Sequence, residues 1–222
     1  MMRPGAGAAV LTVIAAAACA TARHSSSPQT PPAAASPTPT PAAQARADSG
    51  RPPYTAADVA FISGMIGHHA QAVLMAGWAP SHGAGAAVRG LCERIVVAQR
   101  DEIALMQRWL RERHQTVPEG DPRGQMMPGM DQPMLMPGML TPEQLAQLDS
   151  ARGPGFDRLF LTDMIQHHQG AITMVNALLA SEGAAQDGLV FTFANGVFAD
   201  QTTEIDRMNR MLAAMSPGRS GL

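Results

Sequence analysis

The sequence predicts an all-α protein, a four-helix bundle assembled from two duplicated helical hairpins. Two observations carry this. Asp58-x-x-Phe61-x-x-x-Met65-x-x-His68-His69 recurs without a gap as Asp157-x-x-Phe160-x-x-x-Met164-x-x-His167-His168, and Met75 keeps its place as Met174. A second pair follows, in which Gln99-x-x-Glu102-Ile103-x-x-Met106-x-x-Trp109-Leu110 is echoed by Gln201-x-x-Glu204-Ile205-x-x-Met208-x-x-Met211-Leu212. In all four segments the apolar residues recur at three- and four-residue spacing, none alternates as a strand does, and Ala, Leu and Met are good helix formers. A helical hairpin with one apolar face cannot bury it alone, so hairpin packs on hairpin.

The elements follow in chain order. Arg3 and the short apolar run from Ala8 to Ala18 read as an export signal, residues 1–22, too short to span a membrane as an anchor. Small residues lead into Cys19 as in a lipoprotein signal, but Ala16 stands where Leu is usual, and ordinary cleavage near Ala18 to Ala22 is the competing reading. Residues 23–53 are Pro, Ala, Ser and Thr with almost nothing to bury, a tether that holds the domain at 54–216 away from a membrane or wall. Thr55 and Asp58 resemble a capping pattern at the first helix, which Pro80, Gly83 and Gly85 close. The second helix spans about Ala86 to Arg113. Thr141-Pro142-Glu143-Gln144 opens a short helix towards Ala151, with Pro at its first position. The third starts near Phe156 and stops at Gly183; the fourth runs from about Gln186 until Ser216-Pro217.

At about 100° per residue, Phe61, Met65, His68, Ala72 and Met75 share one stripe of the first helix, and Ile62, Ile66, His69, Val73 and Ala76 the next, with Ser63 and Gln71 outside the apolar arc. In the second copy Phe160, Met164, His167, Ala171 and Met174 make one stripe, Leu161, Ile165, His168, Ile172 and Val175 the other, and Thr162, Asp163, Gln166, Gln169 and Thr173 take the wet side. Adjacent residues on a helix diverge, so a His-His pair cannot chelate one ion by itself and ligands must come from more than one helix. Met65 and Met164 lie one turn before their histidines, so each helix offers imidazole and thioether together. The competing reading is a set of core histidines satisfied by hydrogen bonds, with methionines filling gaps. Four imidazoles in duplicate positions, each costly to bury unpaired, favour a metal. Soft sulfur with borderline imidazole suits Cu(I) and Ag(I), with Zn2+ open through the imidazoles. Glu102 and Glu204 are placed to hold the ligand histidines, or else mark an exposed helix edge.

Between the halves, Met126, Met127, Met130, Met134, Met136 and Met139 lie among prolines and glycines with no helical or strand period. A linker explains the glycines and prolines but not the sulfurs. The alternatives are soft-metal capture by a loose loop and packing of Leu135, Met136 and Met139 over the bundle.

The doubled Met-x-x-His-His helices, Met136-Pro137-Gly138-Met139 before Leu140-Thr141-Pro142-Glu143, and Phe156-Asp157-Arg158-Leu159-Phe160-Leu161 resemble the bacterial domain-of-unknown-function 305 family over about Tyr54 to Met215. The resemblance implies an exported helical bundle related to the ferritin-like architecture. It also implies copper or silver held by Met65, His68, His69 and Met75 and by Met164, His167, His168 and Met174, with the loop methionines in a lesser role. Gly64 and Gly67 flank the first motif where the second has Asp163 and Gln166; each Gly costs about 1 kcal/mol in a helix interior, which predicts a looser first site.

The net charge of -2, with no basic cluster, excludes nucleic acid as a partner. With Cys19 lipidated or removed, Cys92 is a lone thiol and reads as a small core residue. No Glu-x-x-His of a di-iron enzyme and no nucleophile-base pattern occurs. The expected function is a periplasmic or surface protein that sequesters copper or hands it to another copper-handling protein, touching membrane only through a lipid at Cys19. A metal-dependent oxidoreductase and a metal-free interaction module are the alternatives.

Overall fold

The computed structural model describes residues 53–124 and 134–215. The leader with Cys19, the tether up to Pro52, Met126, Met127, Met130 and the Ser216-Pro217 stop lie outside the described residues. Regular structure among those described is helical: α1 (Ala56–Gly77), α2 (Ala86–Glu112), α3 (Pro142–Ser150), α4 (Gly153–Leu179) and α5 (Gly188–Met215).

Local chemistry accounts for the ends. The Thr55 hydroxyl accepts from Asp58 N at 3.3 Å while the Asp58 carboxylate accepts from Thr55 N at 2.7 Å, a closed capping box at α1. Thr141 and Gln144 repeat that device at α3, with Pro142 where no N–H is needed. The third long helix opens at Gly153 rather than Phe156, because Pro154 is tolerated within the first turn. The last opens at Gly188 rather than Gln186, because the cap is Asp187, whose Oδ1 accepts from Leu189 N at 3.0 Å and Val190 N at 3.2 Å. The same carboxylate takes the indole N–H of Trp109 at 3.3 Å and pairs with Arg113, tying the start of α5 to the end of α2.

α1 carries one charged residue, Asp58, and is apolar almost all round. Such a helix belongs inside. α2, α3 and α4 cover it, and the contact between the hairpins α1/α2 and α4/α5 runs through α1 on α4. The two histidine helices therefore face each other, antiparallel. Phe61, Ile62, Met65 and Ile66 of α1 meet Ala171, Met174, Val175 and Leu178 of α4 in one apolar cluster. Ala72, Met75 and Ala76 meet Phe156, Phe160, Leu161 and Met164 in the other. The histidines fall between the two.

The duplicated aspartates lock the halves together. Asp58 Oδ1 accepts from Ala185 N at 2.7 Å, and Asp157 accepts from Gly85 N at 3.2 and 3.1 Å through its two oxygens, so each holds the interhelical turn of the opposite hairpin. Two residues assigned to the wet side are buried instead. Gln71 is fully buried, donating to Pro122 O at 2.7 Å and Leu140 O at 3.1 Å and accepting from Leu140 N at 2.6 Å. Asp163 is 6 % exposed. For Gln71 the cause is the connection, which covers a helix edge that periodicity alone leaves to solvent. At the position in α4 equivalent to Gln71 stands Gly170, where a Cβ would lie 1.9 Å from the Pro137 carbonyl oxygen. One half grips the connection with an amide; the other lets it pass by having no side chain.

Asp58→Ala opens the cap and leaves the buried Ala185 N–H without an acceptor. The expected loss is about 2–4 kcal/mol of unfolding free energy, read from urea denaturation, since a cap contributes about 1 kcal/mol and an orphaned buried donor about 1–3 kcal/mol. A loss below 0.5 kcal/mol would contradict this role.

Candidate metal centre

Where α1 crosses α4, the His68 and His167 rings lie with centroids 3.8 Å apart and planes at 42°. His69 and His168 flank them at 6.4 and 6.2 Å from their chain neighbours. All four are fully buried. Their hydrogen bonds fix the tautomers. His68 Nε2 faces Pro137 O at 3.0 Å, and a carbonyl only accepts, so Nε2 carries the proton and Nδ1 of the neutral ring is a bare lone pair. His69 Nε2 donates to Glu102 Oε2 at 2.7 Å and His168 Nε2 to Glu204 Oε2 at 2.6 Å, with the same result at each Nδ1 in the neutral ring. The Nδ1 atoms of His68, His69 and His168 and both nitrogens of His167 are buried without a hydrogen-bond partner. The glutamates thus stand behind their histidines as the sequence allowed, and the core-histidine reading accounts for only one nitrogen of each of three rings.

Burial pushes His68 down to about 3, with the charge of His69 adding, and carries His167 well below the ordinary 6.5, with His68, His168 and His69 adding. Both rings are neutral at physiological pH. Neutral imidazole is the ligating form.

Met65 and Met164, one turn before His68 and His167, are fully buried on opposite sides of the crossing, one in each apolar cluster. Met75 and Met174 lie further along the same helices, again one in each cluster. Met106 and Met208, aligned by the repeat but not taken as site residues, are fully buried in the same two clusters. Among the described residues no three His, Cys, Asp or Glu side chains gather closely enough to hold an ion by themselves. The buried thioethers of the same two helices are the further soft donors on either side of the crossing. The orphaned ring nitrogens and these buried thioethers fit a soft monovalent ion of low coordination number.

The described part of the connection is packed rather than loose. Met139 is buried, Leu135 and Met136 are half-buried and Met134 is exposed. On the opposite side a cleft of about 730 Å3 between α2 and α5 is lined by Gln99, Glu102, Gln201 and Glu204, so the two glutamates connect His69 and His168 to solvent. Cys92 is buried in the second cluster, its thiol pushed up to about 12 by burial and by Asp157, and belongs to the core.

The family model for DUF305, a domain of unknown function, matches residues 58–212. The chain belongs to the DUF305 family. Among solved structures it is similar to a DUF305 protein of Streptomyces coelicolor that is proposed to be secreted, at 26% identity and TM-score 0.61, covering 75% of this chain and 98% of that one. It is also similar to a DUF305 fragment from Deinococcus radiodurans, at 28% identity and TM-score 0.61, covering 73% and 99%. CopM in its Cu(II)-bound form matches at 25% identity and TM-score 0.55, covering 71% and 96%, and CopM has also been solved in Cu(I)-bound and Ag-bound forms. No curated protein sequence matches this DUF305 chain.

Burial of neutral imidazoles makes the metal-free protein acid-sensitive. The unfolded chain protonates its histidines near the ordinary 6.5, whereas the folded chain holds His68 off to about 3 and His167 well below 6.5. Below pH 6.5 the unfolded state thus carries up to two extra protons, each removing about 1.4 kcal/mol of stability per pH unit. Asp163 acts the other way: burial raises it from 3.8 to about 6, so between those values the folded state carries the extra proton and offsets one imidazole. Denaturant unfolding between pH 6 and 4 should therefore lose about one proton's worth of stability per pH unit in wild type and about two in Asp163→Asn. Equal slopes would refute the opposition.

Proposed function

We propose that this DUF305 protein is an exported binding protein for Cu(I) and Ag(I), which it sequesters or passes to another copper-handling protein rather than using for catalysis. The observation that carries the reading is the set of buried, unpartnered ring nitrogens at the α1–α4 crossing. A core histidine kept for packing satisfies its nitrogens; these are held with lone pairs inward by acceptors behind three of the rings. His68 and His167 supply the imidazoles, Met65 and Met164 the nearby thioethers, and His69 and His168 with Glu102 and Glu204 lie on the path to the α2–α5 cleft. Met75 and, by the thioether chemistry they share, the loop methionines are further soft donors. The metals in the CopM structures, Cu(I), Cu(II) and Ag, support the class of ion. Zn2+ is disfavoured by thioether sulfur.

In this reading the hairpins form a four-helix bundle of ferritin-like kind, and the leader delivers the domain to the periplasm or cell surface, with Cys19 as the point of lipid attachment.

The test is Cu(I) competition against a chelator, run anaerobically on metal-stripped protein. His68→Ala with His167→Ala should abolish the tightest equivalent while the helical circular-dichroism signal persists. Met65→Leu with Met164→Leu, nearly volume-neutral changes, should weaken the same equivalent. Wild-type affinity in both double variants would overturn the assignment.

A further inference from the structure

Gly64 is the point at which the two halves differ most in chemistry, since its counterpart in α4 is Asp163. Periodicity treats a glycine inside α1 as a weakness in the helix. In the fold it makes room. A Cβ at Gly64 would sit 3.2 Å from Met136 Sδ and 3.4 Å from Met174 Cε, so thioether arms from the connection and from α4 close on the same point of α1. Beside it lies a cavity of about 230 Å3 with Gly64 and Gly67 in one wall, Met134, Met136 and Met139 in another, and Glu119 and Asp121 in a third.

We infer that Met136 and Met174, closing over Gly64 with Met134 and Met139 on the adjoining wall, form a second, all-thioether site for a monovalent soft cation, separate from the imidazoles. The inference deepens the copper and silver reading and rests on it only for the class of ion. Thioethers are neutral and polarizable, carry no proton to be displaced, and give hard or strongly hydrated divalent ions little in exchange for water. Glu119 and Asp121 supply negative charge on the third wall, which draws cations to the cavity. Met136 also lies directly before Pro137, whose carbonyl accepts from His68 Nε2. The thioether site and the imidazole centre are thus joined through a single residue of the connection, Pro137.

The test uses the full exported domain carrying 13C-methyl methionine, with Ag(I) alone as the probe because it is diamagnetic and does not change oxidation state. Met136→Leu and Met174→Leu assign the two methyl signals. The site predicts that the Met136 and Met174 methyls shift together in one saturable step on adding Ag(I), and that Zn2+ leaves them in place. Gly64→Ala keeps every methionine and histidine but displaces the Met136 sulfur, and should require about 10–100-fold more free Ag(I) for that step, the usual penalty for disturbing the support of a ligand. The methyls of Met65 and Met164 report the imidazole centre independently. If those shift while Met136 and Met174 do not, the thioether site is refuted and the imidazole centre stands. If Met136 and Met174 shift while Met65 and Met164 do not, the thioether site stands and the imidazole assignment falls. An unchanged Ag(I) requirement in Gly64→Ala, or an equal response to Zn2+, would overturn the inference as well.

Discussion

Two neutral imidazoles pressed together in a dry core are the constraint on which the rest of this molecule depends. His68 and His167, with ring centroids 3.8 Å apart, separate two apolar clusters that would otherwise be continuous. An unsatisfied polar nitrogen in such a place costs about 1–3 kcal/mol. The protein tolerates several of them at once. It can do so because the surroundings over-determine the geometry. The Pro137 carbonyl, Glu102 and Glu204 fix three of the rings from behind, and the clusters on either side fix the helices that carry them. A bound ion would satisfy the lone pairs, so binding free energy would add directly to the stability of the fold.

The duplication is used symmetrically for the scaffold and asymmetrically for access. Asp58 and Asp157 each hold the turn of the other hairpin, and Glu102 and Glu204 each hold a histidine. The symmetry breaks where the connection crosses the histidine helices. Gln71 binds its backbone and Gly170 yields to it; Gly64 receives Met136, while Asp163 in the equivalent place stays buried with an unpartnered oxygen. The connecting segment thus meets the two histidine helices in different ways, gripped and received by α1 at Gln71 and Gly64 and passed by α4 at Gly170. Of the two glycines flanking the first motif, Gly64 meets the two methionines closely, whereas Gly67 has only an ordinary contact, 3.6 Å, with the Asp121 carbonyl.

Much of the helical content was legible because it rests on short-range chemistry. The capping pattern at Thr55, the Pro at 142 and the repeat itself are local, and repetition in two halves separates a site residue from an ordinary buried one. What periodicity could not supply was anything decided by a segment without a period. Gln71 reads as wet because the connection that covers it has no helical signature. Asp187 went unrecognised as a cap because the helix start was placed at about Gln186, one residue before it. The pairing of Glu102 with His69 and of Glu204 with His168 was available as one option because both acids recur, but only the packing of α1 on α2 and of α4 on α5 decides it. Burial of Met106 and Met208 could have been read from the same repeat.

Coordination of one ion by both imidazole nitrogen and thioether sulfur at the helix crossing has a spectroscopic signature of its own. X-ray absorption at the copper edge, on protein loaded anaerobically with a single equivalent of Cu(I), reads the donors directly. Shared coordination predicts both nitrogen and sulfur scatterers bonded to copper, with the outer scattering that identifies imidazole rings. A shell of sulfur alone, or of nitrogen and oxygen with no sulfur, would contradict it.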